Sequence, residues 1–276
     1  MAGMDQGIAP RAVTQGQDRL SARLEQYGLP RAAIEVLLSR HTLVRYPKGA
    51  SLFGKGSPAD VVFAVMSGMI KIFCSAGPDR ILIDLAGPGD LAGYADFSEI
   101  GGVRSQIFEA EALTTTCVAL FTRDHILRVL RGLESGSLLA VTESINSLWA
   151  SVVYRCAGFL AMPLRARLES VLVDLARRFG ANDARGVMLT PELGQESLAE
   201  MIGGSRPMVS RLLMEMTEEG LIVRDGRRYI LLRAKWPGME NAGASPASNA
   251  FPPLAAARNG RRLDGKPRGA SARASA

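Results

Sequence analysis

Five arginines and two serines in the C-terminal third carry the most distinctive chemistry of this sequence. Within LTPELGQESLAEMIGGSRPMVSRLLMEMTEEGLIVRDGRRYILLR, Ser205, Arg206, Ser210 and Arg211 fall in one short stretch, and Arg224, Arg227 and Arg228 follow. A guanidinium is a planar fork of donors that pairs bidentately with guanine O6 and N7 or clamps a phosphate, and a serine hydroxyl can donate to either. Upstream, the acid-rich stretch GDLAGYADFSEIGGVRSQIFEAEA contains a single arginine, Arg104. Arg104 stays ionised in any environment, so burial would require an anionic partner. Two partners fit: a bound anion carrying phosphate or carboxylate, or a neighbouring acid such as Asp96, Glu99 or Glu109.

The elements that must position the C-terminal arginines and serines are legible. Gln195 to Ile202 reads as a short amphipathic helix, Gly203-Gly204 as a sharp turn, and Arg206 to Glu219 as a second helix with Ser205 as its N-cap. On that helix Val209, Leu212, Leu213 and Met216 share one face, packed on the first helix. Pro207, Ser210, Arg211 and Met214 fall opposite, with Arg206 at the border. Two short helices across a glycine turn make a helix-turn-helix whose second helix can enter a DNA major groove. LIVRDGRRYILL then reads as two strands turning at Asp225-Gly226, a basic hairpin with Arg224, Arg227 and Arg228 at its tip. The competing reading, a solvated charge cluster on an ordinary helical domain, has to treat this fixed order of elements as coincidence.

Upstream, Leu20, Leu24, Tyr27, Ile34, Leu37 and Leu38 predict two short helices between Gln17 and Arg40, broken at Gly28 and Pro30. From Leu43 to about Phe121, the runs SLF, VVFAVM, MIKIF, ILIDL and TTTCVALF are punctuated by turn residues and predict an antiparallel roll or sandwich. The stretch Leu138 to Met162 is helical. Its seam of Val141, Ile145, Leu148, Val152, Cys156 and Phe159 is what pairing with a second copy requires, although packing on its own β-domain would also produce one. Ala161 to Leu164, with Pro163, reads as a hinge. The expected division is a disordered tail over 1–17, an effector domain over 18–132, a dimerisation helix over 133–162, a DNA-binding domain over 163–236 and a disordered basic tail over 237–276.

Composition bounds the function. The chain has 276 residues and a formal charge of +6. Residues 1–164 are neutral by count, 165–236 carry +2, and 237–276 carry +4, so most of the excess lies in the tail, where it would add only non-specific affinity for nucleic acid. No apolar run has the length of a membrane helix and the start lacks a secretory hydrophobic core, so a cytosolic protein without a membrane partner is expected. Three separated cysteines and two histidines offer no metal site and no iron–sulfur cluster; Cys74, Cys117, His41 and His125 remain as haem ligands only in principle. Without a Gly-rich phosphate loop or a Ser/His/Asp set, an enzyme is not expected.

ESLAEMIGGSRPMVSRLLMEMTEEGLI is similar to the helix-turn-helix of the CRP/FNR superfamily of bacterial transcription regulators, and PKGASLFGKGSPADVVFAVMSGMIKIF resembles the opening of its cyclic-nucleotide-binding β-roll. The resemblance covers roughly residues 40 to 233. It implies an α+β chain: an antiparallel β-roll, a long dimerisation helix and a C-terminal winged helix-turn-helix. It further implies a homodimer on a palindromic operator, with RNA polymerase as a further partner, acting in the bacterial cytosol and on the nucleoid. Arg206 and Arg211 stand where the family places base- and phosphate-contacting arginines, while Pro207 replaces a common glutamate. In the effector site Gly93, Arg104 and Ser105 match the nucleotide-binding pattern, but Tyr94 stands where a glutamate would hold the ribose hydroxyl. Loss of that bond costs about 1.5–3 kcal/mol, so the cofactor is left open between a cyclic nucleotide, another anion and none. The alternative function is a ligand-binding or protein-interaction module that no longer contacts DNA.

Overall fold

The computed structural model of the chain describes residues 10–76, 79–93 and 105–236. The run VVFAVM is apolar throughout because its strand, β3 (Val61–Ser67), is covered on both faces. Phe63 and Val65 point into the space between two sheets, and Ala64 and Met66 point out beneath helices. The first sheet has the order β1-β8-β3-β6, with β1 at Thr42–Tyr46, β6 at Leu91–Ala92 and β8 at Thr116–Thr122. The second has the order β2-β7-β4-β5, with β2 at Ser51–Phe53, β4 at Ile70–Ala76, β5 at Asp79–Ala86 and β7 at Glu109–Ala112. All pairings are antiparallel, as the turn-punctuated runs predicted.

Three helices cover the outer face of the first sheet: α1 (Pro10–Gln26), α2 (Arg31–Leu38) and α3 (Arg123–Arg131). Leu20, Leu24, Ile34 and Leu37 are buried there against Ala64, Met66 and Phe121. Residues 10–17 correct the expectation of a disordered tail over 1–17, since α1 starts at Pro10. The cause is Gly16: a Cβ on it would stand 1.9 Å from the carbonyl oxygen of Met66, so the helix backbone rests directly on β3. A contact between backbones leaves no trace in hydrophobic periodicity. Residues 1–9 and the expected tail over 237–276 lie outside the described residues. His125 is buried and its Nε2 lies 3.0 Å from Leu37 O and 3.2 Å from Val36 O, so its N–H caps the end of α2.

Helix α4 (Ser135–Ala161) has 27 residues, about 40 Å of helix. Leu138, Leu139 and Ile145 are exposed on it. Val141 is buried within its own chain, beside the point where Ala140 meets Gly28, and so leaves the expected seam. The side chains of Leu148, Val152, Cys156 and Phe159 lie outside the described residues. Pro163, with φ −58° and ψ 152°, breaks the helical path and sets the N-cap of α5 (Leu164–Phe179).

The C-terminal part places α5, α6 (Gln195–Ile202) and α7 (Arg206–Glu218) against a sheet of order β11-β12-β10-β9, spanning β9 at Gly180–Asn182, β10 at Gly186–Leu189, β11 at Ile222–Asp225 and β12 at Arg228–Leu232. Its core continues into the β-roll. Phe73, Leu82 and Leu85, from the outer face of the second sheet, join Leu168, Leu172, Leu175 and Leu198 in one hydrophobic cluster. An ion cluster seals the same joint. The Arg178 side chain, 4% exposed, holds Asp84 at 2.5 Å, Asp174 at 3.3 Å and Asp90 at 3.5 Å, donates to Leu85 O and lies over the Phe179 ring. Asp90 also pairs with Arg23 of α1 and accepts from Gly87 N–H. Burial works against the Arg178 charge, and the three carboxylates outweigh it, holding its pKa above the ordinary value.

Candidate nucleic-acid interface

The turn between α6 and α7 is set by Gly203, whose φ of +65° puts it in the left-handed region, and by Gly204, whose N–H donates to Ala199 O. Leu164 packs against Gly204. α7 lies on α6 and β11 through Val209, Leu213 and Met216, all buried, with Leu212 half-buried. The opposite face carries Arg206, Pro207, Arg211 and Met214 exposed and Ser210 half-buried. Arg211 Nε donates to Glu215 Oε1 at 3.0 Å, one turn on, which leaves its terminal nitrogens as the outward donor edge. Ser205 occupies the N-cap position, as expected, and its hydroxyl makes no capping hydrogen bond among the described residues. Ser205 is exposed at the start of α7, where the first N–H groups of a helix favour an anion.

The hairpin forms with a shift of one residue from the expected turn. Asp225 pairs with Arg228, so the two-residue loop is Gly226-Arg227 rather than Asp225-Gly226, with Gly226 at φ +59°. Arg224 and Arg227 are exposed at the tip. Arg228 is half-buried; its Nε is buried and, among the described residues, has no hydrogen-bond partner. The structure therefore brings Arg206, Arg211, Arg224 and Arg227 to solvent on two adjoining elements.

In the β-roll, Gly93 has φ +91°, and a Cβ there would stand 3.1 Å from Phe63 and 3.6 Å from Phe53 and from Gln106 Nε2. The positive φ and the Phe63 ring both favour glycine at this position. Ser105 is half-buried and bridges to Pro58. Tyr94 and Arg104, together with Asp96 and Glu99, lie outside the described residues. Glu109 accepts a hydrogen bond from Ser75.

Two family models match this arrangement in series: a cyclic nucleotide-binding domain over residues 43–132 and a Crp-like helix-turn-helix domain over residues 166–235. The chain belongs to the CRP/FNR superfamily. It is a transcription regulator of that type, with a helix-turn-helix DNA-binding domain. It is similar to the CRP-like cAMP-activated global transcriptional regulator of Mycobacterium tuberculosis, 25% identical over 209 residues that cover 74% of this chain and 90% of the relative. The cyclic AMP receptor protein of Thermus thermophilus is 26% identical over 202 residues, covering 71% of this chain and 86% of its own. Among solved structures, the c-di-GMP responsive global regulator CLP of Xanthomonas campestris shares the fold with a TM-score of 0.60 at 19% identity, covering 74% of this chain and 100% of the other.

In this CRP/FNR chain, several residues that fix the DNA-binding domain were not visible as functional in the sequence. Arg165, at the start of α5, donates to Glu219 at 2.7 and 2.5 Å and to Glu169 at 2.9 Å, tying the end of α7 to α5. Those hydrogen bonds hold the Glu219 carboxyl below its ordinary pKa. Arg167 Nε reaches Met162 O at 3.0 Å and its Nη1 reaches Ile202 O at 3.2 Å, clamping the interhelical linker to the end of α6. Arg185 Nη2 pairs with Asp225 at 2.6 Å and so braces the wing from the β9–β10 turn. The sequence signal for all three was only an arginine beside an element boundary, which is too common to single one out.

Proposed function

We propose that this regulator is a homodimer that reads a two-fold-symmetric DNA operator with α7 and lays the β11–β12 hairpin on the phosphate backbone. The observation that carries the proposal is the outward face of α7, where two exposed guanidiniums stand on a helix whose opposite face is buried. Arg206 and Arg211 read base edges; Ser205, Ser210, Arg224 and Arg227 bind phosphates, and Arg228 supports the hairpin. The dimer forms along α4, whose Leu138, Leu139 and Ile145 are exposed over more than one turn. Half-sites then lie about one helical turn apart. The working units are an effector domain over 18–132, the α4 region over 133–162 and the DNA-binding domain over 163–236, with RNA polymerase as the downstream partner in the cytosol.

The relatives named for cAMP and c-di-GMP support a small anionic effector for the β-roll. Gly93, Tyr94, Arg104 and Ser105 are the residues assigned to it, with Arg104 pairing the anion. The Gln106 side chain, buried beside Gly93, is added to that set. The protein acts by binding, not by catalysis.

Titration of a duplex at increasing salt tests this function. A regulator neutralising six or more phosphates loses about a thousandfold in affinity between 50 and 200 mM salt. An affinity that stays flat over that range would leave the module that no longer contacts DNA.

A further inference from the structure

The outward face of α7 carries two apolar residues, Pro207 and Met214. Pro207, Arg211 and Met214 lie at i, i+4 and i+7 and therefore stack along one strip of the helix. Met214 is 58% exposed and Pro207 is exposed as well, while α7 packs on α6 and β11 through its other side. A helix that only clamped phosphates would gain more from lysine or arginine at both places. The strip has defined limits: Arg206 stands at its start, and Glu218, exposed one turn beyond Met214, carries the charge that DNA repels.

The major-groove edge of B-DNA offers one apolar group, the 5-methyl of thymine; the other groups along it accept or donate hydrogen bonds. Exposed arginines on α7 and at the hairpin tip direct this face toward a polyanion. Arg211, whose Nε donates to Glu215, lies between the two apolar residues in the strip, and its side chain is 79% exposed. We propose that Pro207 and Met214 are specificity-determining residues that recognise thymine methyl groups flanking the guanine read by Arg211. The proposal rests on α7 entering the major groove, as argued under the proposed function.

The full-length chain is used to select from a random duplex library, and the enriched duplex is resynthesised with deoxyuridine at each half-site thymine in turn. This swap removes a methyl group and leaves every hydrogen-bonding group in place. Binding weakens about fourfold for each methyl that is buried. Met214→Gln abolishes the response at one position and Pro207→Gln at another, whereas Met214→Leu retains it. Selection of a defined sequence whose half-sites lack thymine, or respond to no deoxyuridine, overturns methyl recognition and leaves groove reading by α7 intact. Sensitivity that survives in both glutamine variants overturns it too. Failure to enrich any sequence overturns groove reading and methyl recognition together.

Discussion

Replacing Arg178 by alanine is expected to destabilise the folded chain by about 3–5 kcal/mol, the range for removing one partner of a buried ion cluster. The magnitude follows from what the substitution leaves behind. Asp90 is buried, and Asp84 and Asp174 are mostly buried around the vacated guanidinium, so three carboxylates lose their shared counter-charge and Leu85 O loses its donor. Arg23 continues to neutralise part of the charge through Asp90. The site also joins three parts of the chain: α1 through Arg23, the β-roll through Asp84 and Asp90, and the DNA-binding domain through Arg178 on α5. Urea unfolding of the parent, Arg178→Ala, Asp84→Ala and the double variant measures both the loss and the coupling. The second substitution should cost less in the variant background than in the parent. A single-variant loss below about 1 kcal/mol, the range of exposed pairs, would contradict the joint as described.

The combination of Arg206→Ala with Arg211→Ala is expected to remove sequence-specific DNA binding without unfolding the protein. A bidentate contact to a base contributes about 1–3 kcal/mol of discrimination. Two such contacts in each half of a dimer amount to about 4 kcal/mol even at the lower bound, a factor of about a thousand in affinity. The structural loss is small, because Arg206 is exposed and the Arg211–Glu215 pair lies on the helix surface with the arginine side chain 79% exposed. Exposed helix pairs of this kind contribute about 0.3–0.5 kcal/mol. Electrophoretic titration of an operator gives the affinity and urea unfolding checks the fold. Binding within threefold of the parent would show that the base-reading face lies elsewhere.

The helix-turn-helix was legible because each of its parts has a local signature. Glycines at 203 and 204 mark the turn, apolar spacing from Val209 to Met216 marks the packed face, and the arginines occupy the remainder. The β-roll was legible for a related reason: β3 and β8 alternate between two covered faces, which gives short apolar runs between turns. What escaped depends on partners far apart in sequence. Arg178 meets Asp84 and Asp90 across roughly ninety residues, and no spacing rule connects them. Gly16 supports α1 by having no side chain. Val141 follows the same helical spacing as Ile145 but is buried within the monomer, because periodicity identifies an apolar face and not what covers it. The hairpin register differed by one residue because both Asp225-Gly226 and Gly226-Arg227 contain the glycine that the turn needs.

Methylation interference tests most directly whether α7 reads guanine edges from the major groove. Guanine N7, one of the two acceptors used by an arginine fork, is methylated before the protein is added, and the bound and free duplexes are compared. The result expected is loss of binding at guanines in two half-sites about one helical turn apart, with the loss absent from residual binding by the Arg206→Ala, Arg211→Ala variant. Binding that is unaffected by N7 methylation at every guanine of the operator would contradict guanine reading by α7.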